Sequence, residues 1–332
     1  MKTTKPILLH YYITTRCNAR CPFCDIWKSS VIPDASFPDV SVNLAAAQKA
    51  GCRFVDFTGG EPLLNPELPR FLKHAKRLGF ITSVTTNCLL FPERARELAG
   101  LVDMLHFSVS ADDPDTHDGL RGTPSFGRVL ESVDVALQNR LVPDLLFTYT
   151  DRNISAFEGI HRLALNKKLV VILDPLFDIN GADPLAGVTH RKALDYSKRR
   201  GIYLNRAHIS LRIRGGNSIS TPLCRAVDST IVILPDNTLA LPCFHHRSDC
   251  IPIKDSLAGL LSGSRRKEAA EMQGRHRFCD HCHINCYFDP SFAYMRNRLF
   301  AQSMAAKIRY VWWKYIVYHR PFPLMVNRKF HK

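Results

Sequence analysis

Cys17-Asn18-Ala19-Arg20-Cys21-Pro22-Phe23-Cys24 is a C-x3-C-x2-C run with an aromatic residue immediately before its third cysteine. Three thiolates on one short loop can hold three irons of a four-iron cluster. The fourth iron is then open to an outside ligand, as a catalytic metal site keeps one position free. Zinc usually takes paired C-x2-C hooks, and neither zinc nor a disulfide pair accounts well for this spacing. The run follows directly on an apolar stretch, Ile7–Ile13 (ILLHYYI), which reads as a β-strand.

The 332 residues give room for one large domain, a smaller one and an ample core. Eleven cysteines cluster as 17/21/24 and 279/282/286, with others at 52, 88, 224, 243 and 250. Such clustering fits metal ligation in a reducing compartment better than a disulfide framework. The N-terminal apolar stretch is too short for a secretory signal, and no window reaches the uncharged length of a membrane span. A cytoplasmic location is therefore expected. Net charge is 45 − 30 = +15, and residues 291–332 hold nine Lys or Arg with no Asp or Glu.

From residue 7 to 176, β-rich runs alternate with helical patterns. Expected strands are Ile7–Thr14, Arg53–Thr58, Phe80–Thr85, Asp103–Ser108, Asp144–Tyr149 and Leu169–Pro175. Between them fall helices near Pro38–Ala50, Pro66–Leu78, Pro92–Ala99, Ser125–Arg140 and Ser155–Asn166. Pro38, Pro66 and Pro92 suit first helical turns, where a missing N–H costs little. This alternation predicts an α/β protein with a parallel sheet and right-handed crossovers, short of the eight strands of a full barrel. Residues 177–220 read as an irregular connection with one helix near His190–Arg200.

The cysteine run, Thr58-Gly59-Gly60-Glu61-Pro62 after the second strand, Thr85-Thr86-Asn87 after the third, and Ser108/Ser110 with His117-Asp118-Gly119-Leu120-Arg121-Gly122 together resemble the radical S-adenosylmethionine (radical SAM) superfamily. The resemblance implies a partial (β/α)6 barrel with its active site at the C-terminal strand ends. It implies that Cys17, Cys21 and Cys24 hold a catalytic [4Fe-4S] cluster whose open iron chelates SAM. One electron from that cluster then cleaves SAM to a 5′-deoxyadenosyl radical. By the same resemblance, Phe23, Gly59, Gly60, Glu61, Pro62, Asn87, Ser108, Ser110, Arg121 and Asn153 surround SAM, with Glu61 accepting from its ammonium group. Cys88 stands where the family's TNG stretch has glycine, a departure from the pattern. Cys88 and Cys52 read as buried packing residues. Asp174 and Asp178, at the end of the sixth strand, either face the substrate or cap the turn.

Two β-rich runs flank Pro235-Asp236-Asn237, a hairpin that would bring Cys224 and Cys243 near each other. A helical stretch, Leu257–Gln273, and Cys279-Asp280-His281-Cys282-His283-Ile284-Asn285-Cys286 follow. This order resembles the SPASM/twitch extension of radical SAM enzymes. It implies one auxiliary [4Fe-4S] cluster, preferably on Cys224, Cys243, Cys279 and Cys282, with Cys286 competing for a place and Cys250 a weaker candidate. Structural zinc on the same thiolates is the alternative. The expected domains are 1–200 (core), 201–220 (connection), 221–290 (auxiliary, a small hairpin/helix unit) and 291–332 (a basic helical tail).

The tail interleaves Phe292, Met295, Leu299, Phe300, Ile308, Val311, Trp312, Trp313, Tyr315, Ile316, Val317 and Tyr318 with its basic residues. It reads either as a helix packed on the protein with snorkelling cations or as a segment at an anionic membrane surface. Nucleic acid is disfavoured, since no recognised module accompanies it. The leading function is hydrogen-atom abstraction from a small-molecule, lipid-linked or peptide substrate, with flavodoxin or ferredoxin as electron donor and an auxiliary cluster assisting net oxidation. The tail tilts the reading toward a lipid or lipid-carried sugar. A peptide maturase is the runner-up, lowered because no leader-binding domain has room before Cys17. A non-catalytic iron–sulfur or zinc binding protein is the alternative from another class.

Overall fold

The computed structural model describes residues 4–179 and 183–322. Its strands are β1 (Leu8–Thr14), β2 (Phe54–Gly59), β3 (Ile81–Thr86), β4 (Met104–Val109), β5 (Pro143–Tyr149), β6 (Val171–Pro175), β7 (Ile202–Tyr203), β8 (Thr230–Leu234), β9 (Thr238–Leu241) and β10 (Asp249–Pro252). They form one open sheet in the order β10-β9-β8-β1-β2-β3-β4-β5-β6-β7. Strands β1 to β7 pair in parallel, as helical crossovers require. All six expected strands are present within two residues at each end.

Alternation along each strand separates two faces. Leu9, Tyr11, Ile13, Val55, Phe57, Val84, Phe107, Phe147 and Tyr149 pack into the main hydrophobic core. That core includes the helices Phe37–Ala50, Leu68–Arg77, Phe91–Leu98, Phe126–Gln138 and Phe157–Lys167. The opposite face is polar, carrying His10, Asp56, Thr85, His106, Asp144 and Asp174. His10 Nδ1 lies 3.1 Å from Asp56, and His106 Nε2 lies 3.7 Å from Asp144.

The expected elements need four corrections. The helix placed at Pro66 starts at Leu68, because Asn65 Oδ1 accepts from Glu67 N and holds a turn there; Pro69 occupies the first turn instead. The His117–Gly122 stretch belongs to a helix, Pro114–Arg121, capped by Asp113 accepting from Thr116 N and ended by Gly122 at φ +63°. Residues 177–220 hold more than one helix: Gly187–Tyr196 is followed by β7 and by Arg206–Ile213, with Asn205 as N-cap. Gly263 breaks the expected Leu257–Gln273 helix into Leu257–Ser262 and Ser264–Met272.

The hairpin β8–β9, turning at Asn237 with φ +60°, is joined to the barrel sheet. Strand β8 pairs in parallel with β1 and covers an edge that would otherwise expose unpaired backbone groups.

The tail folds as a helix, Arg298–Val311, continued by a π-helical turn, Trp312–Val317. It starts against Phe288, Phe292, Ala207 and Leu211 near the second cysteine set. It then runs past β7 to the N-terminal ends of β4 and β5. There Lys314 Nζ and Tyr310 Oη each lie 2.7 Å from Asp144 Oδ2. Both side chains of the Lys314–Asp144 pair are almost wholly buried. Residues 323–332 of the basic tail lie outside the described residues. Among the described residues, no helix is long and apolar enough to cross a membrane.

Breaking a buried pair strands one charge in a low dielectric, which costs roughly 3–5 kcal/mol. Lys314→Met should therefore lower the unfolding free energy measured by chemical denaturation by that order, and the Lys314→Met/Asp144→Leu double variant should recover a large share. Equal loss in both variants would show that the tail is held by packing alone.

Candidate active site and second cysteine cavity

The cysteine loop leaves the C-terminal end of β1 and is clamped there by β2. Gly60 N donates to Thr14 O (3.1 Å) and Glu61 N to Arg16 O (2.8 Å). A Cβ on Gly59 would sit 2.2 Å from Thr14 O, and one on Gly60 2.1 Å from Arg16 O. Gly59 also has φ +149°. Both glycines are thus required for the backbone to approach the loop.

Glu61 is buried, and burial pushes its carboxyl up to about 7. Its Oε1 accepts from Leu63 N and Thr86 Oγ1, and its Oε2 from Asn87 N. The carboxylate therefore ties the end of β3 to the turn after β2, leaving little free acceptor capacity for a ligand ammonium. Pro62 opens that turn. Asn87 Nδ2 donates to Asn18 Oδ1 (2.8 Å) and lies 4.0 Å from Cys17 Sγ. Cys88 has φ +71°, the left-handed region that favours glycine, and it packs in the core, as does Cys52.

The third clamp comes from the helix Pro114–Arg121. Arg20 N donates to Arg121 O (3.1 Å), and a Cβ on Gly122 would lie 2.2 Å from Arg20 O. The Arg121 guanidinium is 6.0 Å from the centre of the Phe23 ring, and its Nε and Nη2 are buried without hydrogen-bond partners. Burial raises the Cys24 thiol while the Arg121 charge opposes that rise. Burial pushes Cys17 up to about 11. A buried cation with unsatisfied donors beside three cysteines favours an anionic occupant.

Ser108 faces the polar side of β4. Ser110 is buried, its Oγ has no partner, and its N donates to His117 Nδ1. Asn153, expected near a ribose, has its amide engaged in joining the ends of β4 and β5. Its Nδ2 donates to Ser110 O and Thr148 O, and its Oδ1 accepts from Thr150.

The second cysteine set surrounds a cavity lined by Cys224, Cys243, Cys279 and Cys282, with Ala226, Pro242, His246, Gln273, Gly274, Ile284, Tyr287 and Phe288. Burial raises all four thiols, Cys243 to about 11 and Cys282 to about 12. Cys286, in the first turn of the helix Asn285–Ser291, is not among the residues that line this cavity, though it packs on the same apolar cluster as Cys224, Cys243 and Cys282. Its Sγ lies 3.9 Å from His245 Nε2. Neighbouring Asn285 Nδ2 donates to Asp174 Oδ1 at the end of β6. Cys250 is exposed on the edge strand β10. Among the described residues, no three His, Cys, Asp or Glu side chains converge on a single-ion position.

Sequence reasoning passed over Asn217, which gathers this cavity. Its Oδ1 accepts from Leu223 N and Cys224 N, and its Nδ2 donates to Gly274 O and Cys279 O. Its backbone N donates to Cys282 O, and its backbone O accepts from His281 N. A buried Asn following Gly215-Gly216, close before Cys224, was the available signal. The tail does not border the cysteine loop: its far end meets the N-terminal strand ends, whereas the loop lies at the C-terminal ends.

Residues 11–164 match the Radical SAM superfamily profile. A probable GTP 3′,8-cyclase from Thermoplasma volcanium is 30% identical over 178 residues, 51% of this chain and 54% of that protein. The chain thus aligns over only about half of that relative's length. A probable GTP 3′,8-cyclase from Saccharolobus solfataricus is 27% identical over 78% of this chain and 90% of that protein. Among solved structures, anSMEcpe with bound AdoMet and the Kp18Cys peptide superposes with a TM-score of 0.64 at 14% identity, covering 95% of this chain and all of that one. That likeness concerns the fold. The sequence match spans the cysteine loop, Glu61, Asn87, Arg121 and Asn153, and residues 11–164 therefore form a radical SAM domain.

Proposed function

We propose that the chain is a radical SAM enzyme in which Cys17, Cys21 and Cys24 hold a [4Fe-4S] cluster and Arg121 helps seat SAM beside it. The observation that carries this reading is the three-cysteine loop, clamped on three sides and facing the unpartnered guanidinium of Arg121. Once bound, cluster and cosubstrate supply a one-electron cleavage of SAM that generates a hydrogen-abstracting 5′-deoxyadenosyl radical. Arg121 contributes fixed positive charge in a buried setting, where it acts more strongly than in water. Gly59 and Gly60 hold the loop close to β2, and Glu61 and Asn87 fix its position relative to β3.

The four cysteines around the second cavity are the proposed ligands of an auxiliary [4Fe-4S] cluster. Buried, raised thiols lose their protons on binding metal, so loading and local folding should be coupled. Four thiolates close such a site, which suits electron transfer rather than substrate binding. Asp174 is the proposed proton acceptor for a net oxidation: it stands at the end of β6, and burial pushes it up to about 6. A carboxylate so tuned can take a proton near neutral pH. The proposed substrate is a peptide or small molecule entering at the C-terminal strand ends, where Tyr12 stacks on Phe244 at 3.8 Å. The tail's position at the other end of the barrel lends no support to direct feeding of a lipid into this mouth.

Anaerobically reconstituted protein should carry about eight irons per chain and show a reduced-cluster EPR signal that SAM perturbs. Dithionite-reduced protein should produce 5′-deoxyadenosine, and Cys21→Ala should abolish this product. Retention of the product by Cys21→Ala would reject the catalytic loop, and well-loaded protein without a SAM-sensitive signal would favour a binding protein.

Cys282→Ala should cut the iron content to about four while sparing SAM cleavage. Asn217→Ala should lower auxiliary iron in the same direction without touching the SAM-sensitive EPR signal, since it removes four hydrogen bonds that gather Cys224 and Cys279. Unchanged iron and sulfide in both variants would overturn the auxiliary assignment.

A further inference from the structure

The tail has two faces, and only one is explained by the fold. Inward, Leu299, Ser303, Ala306, Lys314 and Tyr315 are buried against the barrel. Outward, Phe300, Ile308, Trp312 and Ile316 are 37%, 65%, 55% and 45% exposed. The i, i+4 spacing of Ile308, Trp312 and Ile316 places them in one row along the helix. Isolated exposed apolar residues need no explanation, but an aligned row of large ones marks a contact surface.

Charge identifies the partner. No acidic residue occurs from Pro290 to Lys332. Arg309 donates to the carbonyls of Lys198 and Arg199, and Arg320 to those of Lys167 and Lys168. Arg309 and Arg320 thus donate to backbone carbonyls in basic segments rather than to carboxylates. Arg200 adds another cation, lying 5.8 Å from the Trp313 ring centre. Burial chiefly, and the charge of Arg206 secondarily, depress the Arg309 pKa. Some of the belt is neutralised, through Lys307–Asp289 within reach of the tail and Lys167–Asp134, Lys198–Asp195 and Arg199–Glu158 beside it. The remainder repels itself unless an anionic surface faces it.

An apolar row bordered by cations suits the boundary between lipid headgroups and acyl chains. Nucleic acid would call for several exposed flat rings on which bases stack. Here two of the three aligned side chains, Ile308 and Ile316, are aliphatic and better suited to hydrocarbon. We infer that the outer face of the tail docks the protein on an anionic lipid surface, with Trp312 at headgroup depth. Tyr310 and Lys314 hold this stretch of the tail at the N-terminal end of β5, away from the end at which the cysteine loop emerges. This inference does not depend on the proposed reaction.

Co-sedimentation of the full chain with phosphatidylcholine vesicles and with mixed phosphatidylcholine–phosphatidylglycerol vesicles tests it. Binding to the anionic vesicles should exceed binding to the neutral ones by at least about tenfold and weaken at high salt. Ile308→Glu/Trp312→Glu should remove most of it, with the thermal midpoint and iron content unchanged. Val42→Glu/Val188→Glu, which adds the same charge at sites 60% and 50% exposed elsewhere, should bind like the unmodified chain. Four results would each overturn the proposal. These are no binding to either vesicle, equal binding to both, full retention by the tail variant, or binding to polyuridylate with none to vesicles. A concentration-dependent dimer abolished by the tail variant, with no vesicle binding, would assign the face to a second copy of the chain.

Discussion

The structure turns on how closely two backbones can approach. The chain leaving β1 toward Cys17 runs against the end of β2, and any side chain at residue 59 or 60 would overlap Thr14 O or Arg16 O. Two hydrogen bonds at that contact, from Gly60 N and Glu61 N, set the height and direction at which the cysteine loop emerges. The remaining clamps depend on it. Glu61 reaches Thr86 and Asn87 only because residues 59–60 bring it there, and Asn87 reaches Asn18 only from that position. Arg121 closes the third side through the helix that ends at Gly122.

The polar face of the sheet poses a second problem. An open, partial barrel exposes its inner surface on one side, and Asp144 stands on that surface with almost no access to water. An uncompensated carboxylate there would be costly. The tail answers with Lys314 and Tyr310, which makes this last segment part of the barrel rather than an appendage. Its two faces therefore follow different physics. The inner face is set by a buried ion pair and packing, and the outer one by an unneutralised charge excess beside an exposed apolar row.

The second cysteine cavity is built by a different device. Its four cysteines come from three separated segments, and the backbone of each carries donors and acceptors that must be satisfied once buried. Asn217 meets several of these groups at once, through both ends of its amide and through its own backbone. Three of the four cysteines, Cys224, Cys279 and Cys282, are tied to it, and burial raises the thiols of all four.

The sequence by itself determined the strand–helix alternation, the parallel sheet, the cysteine loop and the turn at Gly59-Gly60, because each is a local pattern: periodicity, spacing, or a residue type that only one backbone geometry requires. It also carried the caps of the helix Pro114–Arg121, in Asp113, Pro114 and Gly122, although that helix was read only as a motif. What only the tertiary structure decided involves residues distant in the chain. Glu61 is engaged by β3, Asn153 bridges β4 and β5, and Cys286 lies beside His245 while its neighbour Asn285 reaches Asp174. Asn217 looks like an ordinary loop residue until three segments converge on it. The tail's charge was plain in the sequence, but which of its cations enters the barrel depended on where Asp144 is buried, and no local pattern encodes a partner 170 residues away.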